Sequence, residues 1–481
     1  MGTAAAVLAV GLTTVPVQHA SAVTVTATPT PAAGARRNAT DLGFSVSGTT
    51  RLSVDVATGN GLLTDQLLSL PGATAAAPVT LAYNSSVWGS TVPSAVTGET
   101  GGGWTITGFD TRLVTNGDGS VTFYGPAGLT GVFAPGGVAG TFVAPAQYQA
   151  DLVTIAGGWT LTEHTSRTKL TFNSAGRLTS SADRNGNTTS YGYDPYNNPA
   201  SISTAAANPA GPGTTLGSLT VAMSGSRMTA LTETSGSSTR KVTFGYSSQG
   251  HLASVTDTVN GVTAFSSGGS SDTGQVVTIT NPAGSSSTLG FTGGKVSQVA
   301  QSNTAAGSPG TSITRLAYPS GSQTLVADPT TNQGSTVAAV PHTTYNLTTD
   351  GSMLVSSAVD QNGHSRATTY TPLGAIASTT PAAGGATSYT YGANNNESLT
   401  HVASAAGAAS TASYTNTGAT AYLPSSTTAD SGNAISYTYN GAGNPLTTAQ
   451  GTGAQAKVTY NTDGTAATSA SPGAAAGVQT T

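Results

Sequence analysis

Residues 172–198 read FNSAGRLTSSADRNGNTTSYGYDPYNN. Phe172 is followed four places on by Gly176 and six places on by Leu178, and Asp183-Arg184-Asn185-Gly186 then precedes Ser190-Tyr191-Gly192-Tyr193. An aromatic that ends a strand, a short turn, and a glycine supplying the φ > 0 position describe a tight hairpin. Asp at the head of the second turn accepts backbone N–H groups, and Asn-Gly tolerates left-handed dihedrals. In the last segment Tyr191 and Tyr193 alternate with small residues, so both rings face one side of a sheet. The stretch therefore predicts strand, turn, strand, turn, strand.

The same marks recur along the chain. Of 29 aromatic residues, twelve have Gly four places later, where about four are expected by chance. They include Tyr246 before Gly250, Tyr370 before Gly374, Tyr439 before Gly443 and Tyr460 before Gly464. The return strand opens on an apolar residue at Leu178, Leu252 and Ile376. Asp360-Gln361-Asn362-Gly363 and Asp430-Ser431-Gly432 repeat the Asp-led turn, and Gly186, Gly363 and Gly432 each stand seven residues before a tyrosine. Phe172 to Tyr193, Tyr370 to Tyr391 and Tyr439 to Tyr460 are each 21 residues apart, room for two strands of about six with their turns. The repeating unit predicted is a β-hairpin.

Composition agrees. The 481 residues hold 62 Gly and 23 Pro, and only 7% are charged, against roughly 25% in an ordinary soluble domain. Helical solenoids and coiled coils lack their Glu, Lys and Arg here, and nucleic-acid binding lacks its clustered cations. A net charge of -4 steers no charged partner. With no cysteine there is no disulfide framework, thiolate nucleophile or Cys-ligated metal. The expectation is an all-β protein of tandem antiparallel hairpins in one continuous curved sheet.

Ala4 to Val17 is a short apolar run followed by Ala20-Ser21-Ala22, which reads as a signal peptide cleaved after Ala22. No segment is apolar enough to span a bilayer once the signal is removed. The expected organisation is a signal at 1–22, a Thr/Pro/Ala linker at 23–40, an N-terminal β region at 41–165, hairpin repeats at 166–465 and a low-complexity tail at 466–481. The location expected is secreted or cell-surface.

On these residues the chain resembles the YD-repeat family, the units of Rhs proteins, teneurin-type shells and the outer shells of insecticidal toxin complexes. Gly176, Leu178, Asp183, Gly186, Tyr191, Tyr193 and Asp194 fill the repeat's pattern; 358–376 and 429–446 match loosely, with Thr371 and Asn440 in place of the last Asp. Val54-Asp55-Val56-Ala57-Thr58-Gly59-Asn60, Leu81-Ala82-Tyr83-Asn84-Ser85 and Gly102-Gly103-Trp104 resemble the family's lead-in. The resemblance implies a hollow β-shell, partial or complete, enclosing a polypeptide cargo or meeting another shell chain. The family's aspartyl-protease core and C-terminal cargo have no counterpart before Thr481.

The search for chemistry returns no catalytic residue, metal site or cofactor. Asp272-Thr273-Gly274 and Asp430-Ser431-Gly432 match the Asp-Thr/Ser-Gly signature of aspartic proteases, but that chemistry needs two carboxylates in a desolvated cleft, and both read as turns. Asp183-x-Asn185-Gly186-Asn187 lacks the further carboxylates of a calcium loop. The six histidines, at 19, 164, 251, 342, 364 and 401, have no zinc-helix spacing, and His251 reads as solvated. Arg36-Arg37 reads as a solvated pair, and Glu163, His164, Arg167 and Lys169 as a surface charge patch.

Two function classes remain. One is an exported, non-enzymatic β-shell or scaffold, part of a contact-dependent toxin system. The other is a cell-surface polysaccharide binder stacking sugars on the pairs Tyr191/Tyr193 and Tyr437/Tyr439. Exposure separates them: buried rings fit the wall, and a row of solvent-facing rings along a groove fits the sugar binder.

Overall fold

In the computed structural model the described residues are 33–87, 100–146, 148–164, 166–208, 213–235, 238–268, 274–303, 309–330, 336–392, 398–451, 453 and 455–472. The signal sequence, its cleavage point after Ala22, Asp272 and Thr273 lie outside them. Among the described residues the chain is built of antiparallel strands in three sheets. β1 (Asp41–Ser45) to β5 (Trp104–Ile106) form a five-stranded sheet, and β6 (Arg112–Thr115) to β9 (Phe142–Val143) a four-stranded one. From β10 (Ala150–Ile155) to β37 (Ala466–Ala470), 28 strands follow one another in chain order, each paired with its predecessor.

Hairpin turns set this order. Between β12 (Lys169–Asn173) and β13 (Leu178–Ala182), Asn173 N–H donates to Arg177 O at 3.0 Å and Gly176 N–H to Asn173 O at 2.8 Å. The Asn173 side-chain oxygen accepts from the N–H groups of Ala175 and Arg177, both at 3.0 Å. The two backbone bonds recur at turns led by Asp183, Asp194, Ser247, Asp360, Thr371 and Asn461. The fourth residue always has φ > 0: Gly176 at 75°, Gly186 at 89°, Asn197 at 64°, Gly250 at 83°, Gly363 at 85°, Gly374 at 79° and Gly464 at 82°. This is a type I turn closed by a left-handed residue, with the extra residue absorbed as a bulge. The bulge falls on the aromatic, since strand register shifts at Phe172, Tyr193, Tyr246, Tyr370, Tyr391, Tyr439 and Tyr460.

Two main apolar cores line the wall, beside a small cluster of Leu325, Ala327 and Val337. The larger joins Leu52, Val54, Leu63, Leu81, Tyr83 and Trp104 of the five-stranded sheet to wall residues from Ile202 to Val355. The smaller joins Leu113, Val121, Phe123 and Phe133 to Leu152, Leu161, Phe172 and Leu178. After Tyr370 the buried apolar side chains are Ala375, Ala412, Leu423 and Ala449, so the last strands lean on backbone pairing rather than on a packed core.

The sheet coils on itself. The β13–β14 (Thr188–Tyr193) turn meets hairpin tips far along the chain: Arg184 Nη1 donates to Gly443 O at 3.0 Å, Asn444 Nδ2 to Asn185 Oδ1 at 2.5 Å and Asn187 Nδ2 to Asp463 O at 2.7 Å. Right-handed strand twist, accumulated over about twenty strands, brings the tips together.

Three boundaries differ from the expectation. The large sheet begins at Ala150, inside the region assigned to a separate N-terminal unit, because Ala150–Ile155 pairs with Gly158–Glu163. Ala466–Ala470 is a paired strand rather than tail, its Ala/Ser/Thr content being enough where the ladder holds it. Residues 33–40 are fastened as well: Ala33 is buried, and Gly34 N–H donates to Asn84 Oδ1 at 2.7 Å.

Candidate functional site: a tyrosine ladder and a buried clamp

A tyrosine at the end of a strand reaches back to the carbonyl fifteen residues earlier, whether it is the second of a Tyr-x-Tyr pair (Tyr193, Tyr391, Tyr439) or stands alone (Tyr370, Tyr414, Tyr460). Tyr193 donates to Leu178 O at 2.9 Å, Tyr370 to Val355 O at 2.9 Å and Tyr391 to Ile376 O at 2.8 Å. Tyr414 donates to Leu399 O at 3.3 Å, and Tyr439 and Tyr460 to Pro424 O and Pro445 O, both at 2.9 Å. Each acceptor for which the preceding bulge is described sits opposite the bulge residue, an aromatic for Leu178 (Phe172) and Ile376 (Tyr370) and Leu347 for Val355. Beyond the bulge the ladder leaves that carbonyl without a strand partner, and the hydroxyl supplies one. The Gly-x-Leu and Tyr-x-Tyr halves of the repeat are therefore two ends of one hydrogen bond, and 21 is the sum of a six-residue turn step and this reach. Burial raises the hydroxyl pKa of Tyr370, Tyr391 and Tyr460, and pushes Tyr414 and Tyr439 up to about 12.

A clamp of charged and amide groups fixes the N-terminal sheet to the wall. Arg36 Nε donates to Asp55 Oδ2 at 2.8 Å, and its other nitrogens donate to Ser352 O at 3.0 Å and Met353 O at 2.9 Å. Both side chains of the pair are buried. Asp55 Oδ1 also accepts from Ala57 and Thr58 N–H at 2.8 and 3.2 Å. Gly59 has φ 70° and carries no Cβ because Lys295 and the Tyr318 hydroxyl would stand 2.5 and 2.8 Å from it. Val296 N–H donates to Gly59 O at 2.9 Å, and the Lys295 ammonium lies 4.6 Å from the Tyr318 ring centroid. Burial lowers the pKa of Lys295, partly opposed by Asp55. Further on, Asn60 Nδ2 and Asn84 Oδ1 bond at 2.8 Å, Asn84 Nδ2 donates to Ala127 O at 2.7 Å, and Val276 N–H donates to the Tyr83 hydroxyl at 3.0 Å. The lead-in motif is a set of fasteners to the wall.

Several expectations change in the structure. Arg36 is a buried ion-paired residue, not half of a solvated pair, because Asp55 and two carbonyls replace its water. His164 is buried, 3.1 Å from the Asp151 carboxylate and stacked on Tyr422 at 5.0 Å, whereas Glu163 and Lys169 are exposed. His251 is half-buried, its ring against Gly274. The turn at Gly432 is led by Ala429; Asp430 stands one place later and accepts Ala409 N–H at 2.9 Å. Gly48 and Gly137 follow aromatics yet lie outside the positive-φ set, since these two turns close on different spacings. Asp183 spends its carboxylate on Asn185 and Asn187 N–H, Asn187 Nδ2 and Thr74 Oγ1. Asp194 does the same for Tyr196 and Asn198, and these bonds hold its pKa below the usual carboxylate value. Among the described residues no group of three His, Asp or Glu side chains is placed to hold a metal ion.

None of Tyr191, Tyr193, Tyr437 and Tyr439 is exposed. Tyr191 and Tyr193 both stand edge-on to Phe109 at 5.9 Å, and Tyr437 shares a 3.1 Å contact with Thr427 Oγ1. The solvent-facing row required for sugar stacking on the pairs is not present at these four.

The fold defines the class: a hairpin-repeat wall with an N-terminal sheet fastened to one face. Two family models match, the RHS repeat at residues 172–209 and a domain of unknown function, DUF6531, at 52–133. Together these matches cover about a quarter of the chain, and over those residues it is similar to the Rhs/YD-repeat family. No curated protein matches it. Among solved structures it is similar to the Photorhabdus luminescens Tc holotoxin pore, at 11% identity and TM-score 0.34 over 82% of this chain and 24% of that one. It is also similar to the TcdB2-TccC3-Cdc42 structure (12% identity, TM-score 0.30, 82% and 24%) and to TcdB2-TccC3 (12%, 0.28, 80% and 24%). The chain thus spans about a quarter of the length of these chains.

Proposed function

We propose that the chain is an exported, non-enzymatic wall: an Rhs-type scaffold that acts at the cell surface by enclosing or presenting a polypeptide, as part of a toxin system. The observation that carries this reading is the uninterrupted 28-strand sheet in chain order, coiled until tips 259 residues apart touch. An extended hydrogen-bonded wall resists deformation and encloses volume, and each hairpin covers its predecessor's edge. The polar side chains singled out in the sequence are spent on turns and fasteners, which favours a mechanical role.

The test is expression of the intact gene in its own host, with cell fractionation and N-terminal sequencing. The expected product is extracellular or surface-bound, begins at Val23, and copurifies with a polypeptide protected from added protease. Cytosolic protein retaining Met1 would overturn export; a wall that protects nothing in its native complex would overturn enclosure.

A further inference from the structure

A cavity of about 450 Å³ lies where the four-stranded sheet, the loop at 107–111 and the wall strands meet. Its lining mixes apolar side chains, Phe123, Leu161 and Leu178 among them, with the hydroxyl-bearing Tyr148, Tyr191 and Ser181. Two observations single it out. The Tyr148 hydroxyl is fully buried and has no hydrogen-bond partner among the described residues, an arrangement that native proteins avoid unless something else satisfies it. At the first tyrosine of later repeats the hydroxyl meets a threonine ten residues back: Thr379 with Tyr389 at 3.4 Å and Thr427 with Tyr437 at 3.1 Å. Ser181 and Tyr191 have the same ten-residue relation, yet no bond joins them, and both line the cavity. Gly108 makes room for the Tyr191 ring, which a Cβ there would meet at 2.0 Å.

We propose that this cavity binds a neutral sugar ring. Its size falls in the range of small-ligand sites, and a lining that mixes apolar and hydroxyl-bearing side chains suits a pyranose, which carries both a C–H face and a hydroxyl rim. None of the lining residues is basic and Glu163 is acidic, so an anionic sugar meets a like charge and no cation in the lining itself; the Arg37 guanidinium outside it is taken up by the Gln149 amide oxygen. Leu178 lines the site and also supplies the carbonyl of the Tyr193 ladder bond, but none of the hydroxyls proposed to meet the sugar makes a ladder bond, so the site does not depend on the wall reading.

The test uses the full chain with cellobiose, maltose and N,N′-diacetylchitobiose as probes and glucuronate as the anionic control, followed by titration calorimetry and ligand-observed NMR. At least one neutral sugar is expected to bind saturably and glucuronate more weakly. Tyr148→Phe and Tyr191→Phe should each weaken binding about five- to tenfold, the effect of one lost hydrogen bond. Because the Tyr148 hydroxyl has no partner without ligand, Tyr148→Phe should leave the unliganded melting midpoint unchanged or higher. No binding by any neutral sugar, equal binding by glucuronate, unchanged affinity in both variants, or a lowered midpoint in Tyr148→Phe would each overturn the proposal.

Discussion

Replacing a ladder tyrosine by phenylalanine removes one oxygen and keeps the ring. In Tyr391→Phe the Ile376 carbonyl loses the hydroxyl 2.8 Å away, and no strand partner exists to take its place at the bulge. A neutral hydrogen bond of this kind contributes about 1 kcal/mol net, with a range of roughly 0.5–1.5. Tyr391 and Tyr460 bond the residues that sit opposite Tyr370 and Tyr439, so the losses should add closely between these two neighbouring pairs and more coarsely within each. The quadruple variant at Tyr370, Tyr391, Tyr439 and Tyr460 is therefore expected to lose about 4 kcal/mol. Tyr389→Phe is the control: it sits two places before a ladder tyrosine, and its contact with Thr379 is long at 3.4 Å and part-exposed, so its cost should stay below about 0.5 kcal/mol. The assay is urea denaturation followed by circular dichroism, with hydrogen exchange at the acceptor strands to localise the loss. A Tyr389→Phe cost equal to that of Tyr391→Phe would show that the rings matter and the hydroxyls do not, and would refute the ladder.

Other expectations follow from the same geometry. Folded tyrosines with pKa raised to about 12, Tyr414 and Tyr439, hold their protons when the unfolded chain has begun to lose them near pH 10; their stabilising contribution is complete below pH 10 and disappears as pH rises to about 12, as pH-dependent melting should register. Arg36→Leu leaves Asp55 and the Ser352 and Met353 carbonyls without their cation, with an expected loss of about 3–5 kcal/mol and faster exchange at 352–354; a surface-like loss under 1 kcal/mol would contradict the clamp. Gly363→Ala meets open space at φ 85° and should cost about 1–2 kcal/mol for the left-handed backbone alone, whereas Gly176→Ala also drives a Cβ to 2.0 Å from Leu113 O and should cost more in paired melts. Asn187→Ala should speed proteolysis at 461–465, where the lost Asp463 contact held the tip, while the midpoint moves little.

What could be read in the sequence was the part of the fold made by near neighbours. A turn of four residues depends on Asp183, Asn185 and Gly186 alone, so its signature survives in the linear order. The 21-residue interval was visible too, though its cause was not: it combines the step from Phe172 to Leu178 with the fifteen-residue reach of Tyr193, and a count of apolar residues fifteen before each strand-ending tyrosine would have exposed it. Asp430 was misplaced because a glycine two residues on is not the glycine three residues on that the turn requires. The clamp was beyond such reading. Nothing near Arg36 says that its partners are Asp55 and, 316 residues away, Ser352; a charged pair in a Thr/Pro/Ala segment looks solvated until a second sheet covers it. His164 beside Tyr422 is the same kind of contact, created by the coil of the sheet rather than by local chemistry.

The coil also explains how a wall with so little charge stays polar outside. On the outward face, hydroxyls pair across neighbouring strands at an offset of nine residues: Thr369 with Ser378, Thr438 with Thr447 and Thr459 with Thr468, each at 2.7 Å. Cross-strand Thr pairs of this type contribute roughly 0.2–1 kcal/mol each, comparable to an exposed ion pair, without the long flexible side chains that an ion pair must immobilise. The inward face uses the tyrosine of the same strand to complete the carbonyl at the bulge. One six-residue strand such as Ala434–Tyr439 thus carries an outward threonine bond and an inward tyrosine bond on adjacent residues, Thr438 and Tyr439. The alternation of Tyr, Thr and Tyr is sufficient for both, and the scarcity of Lys, Arg, Asp and Glu follows from a wall whose polar bonding is done by hydroxyl groups.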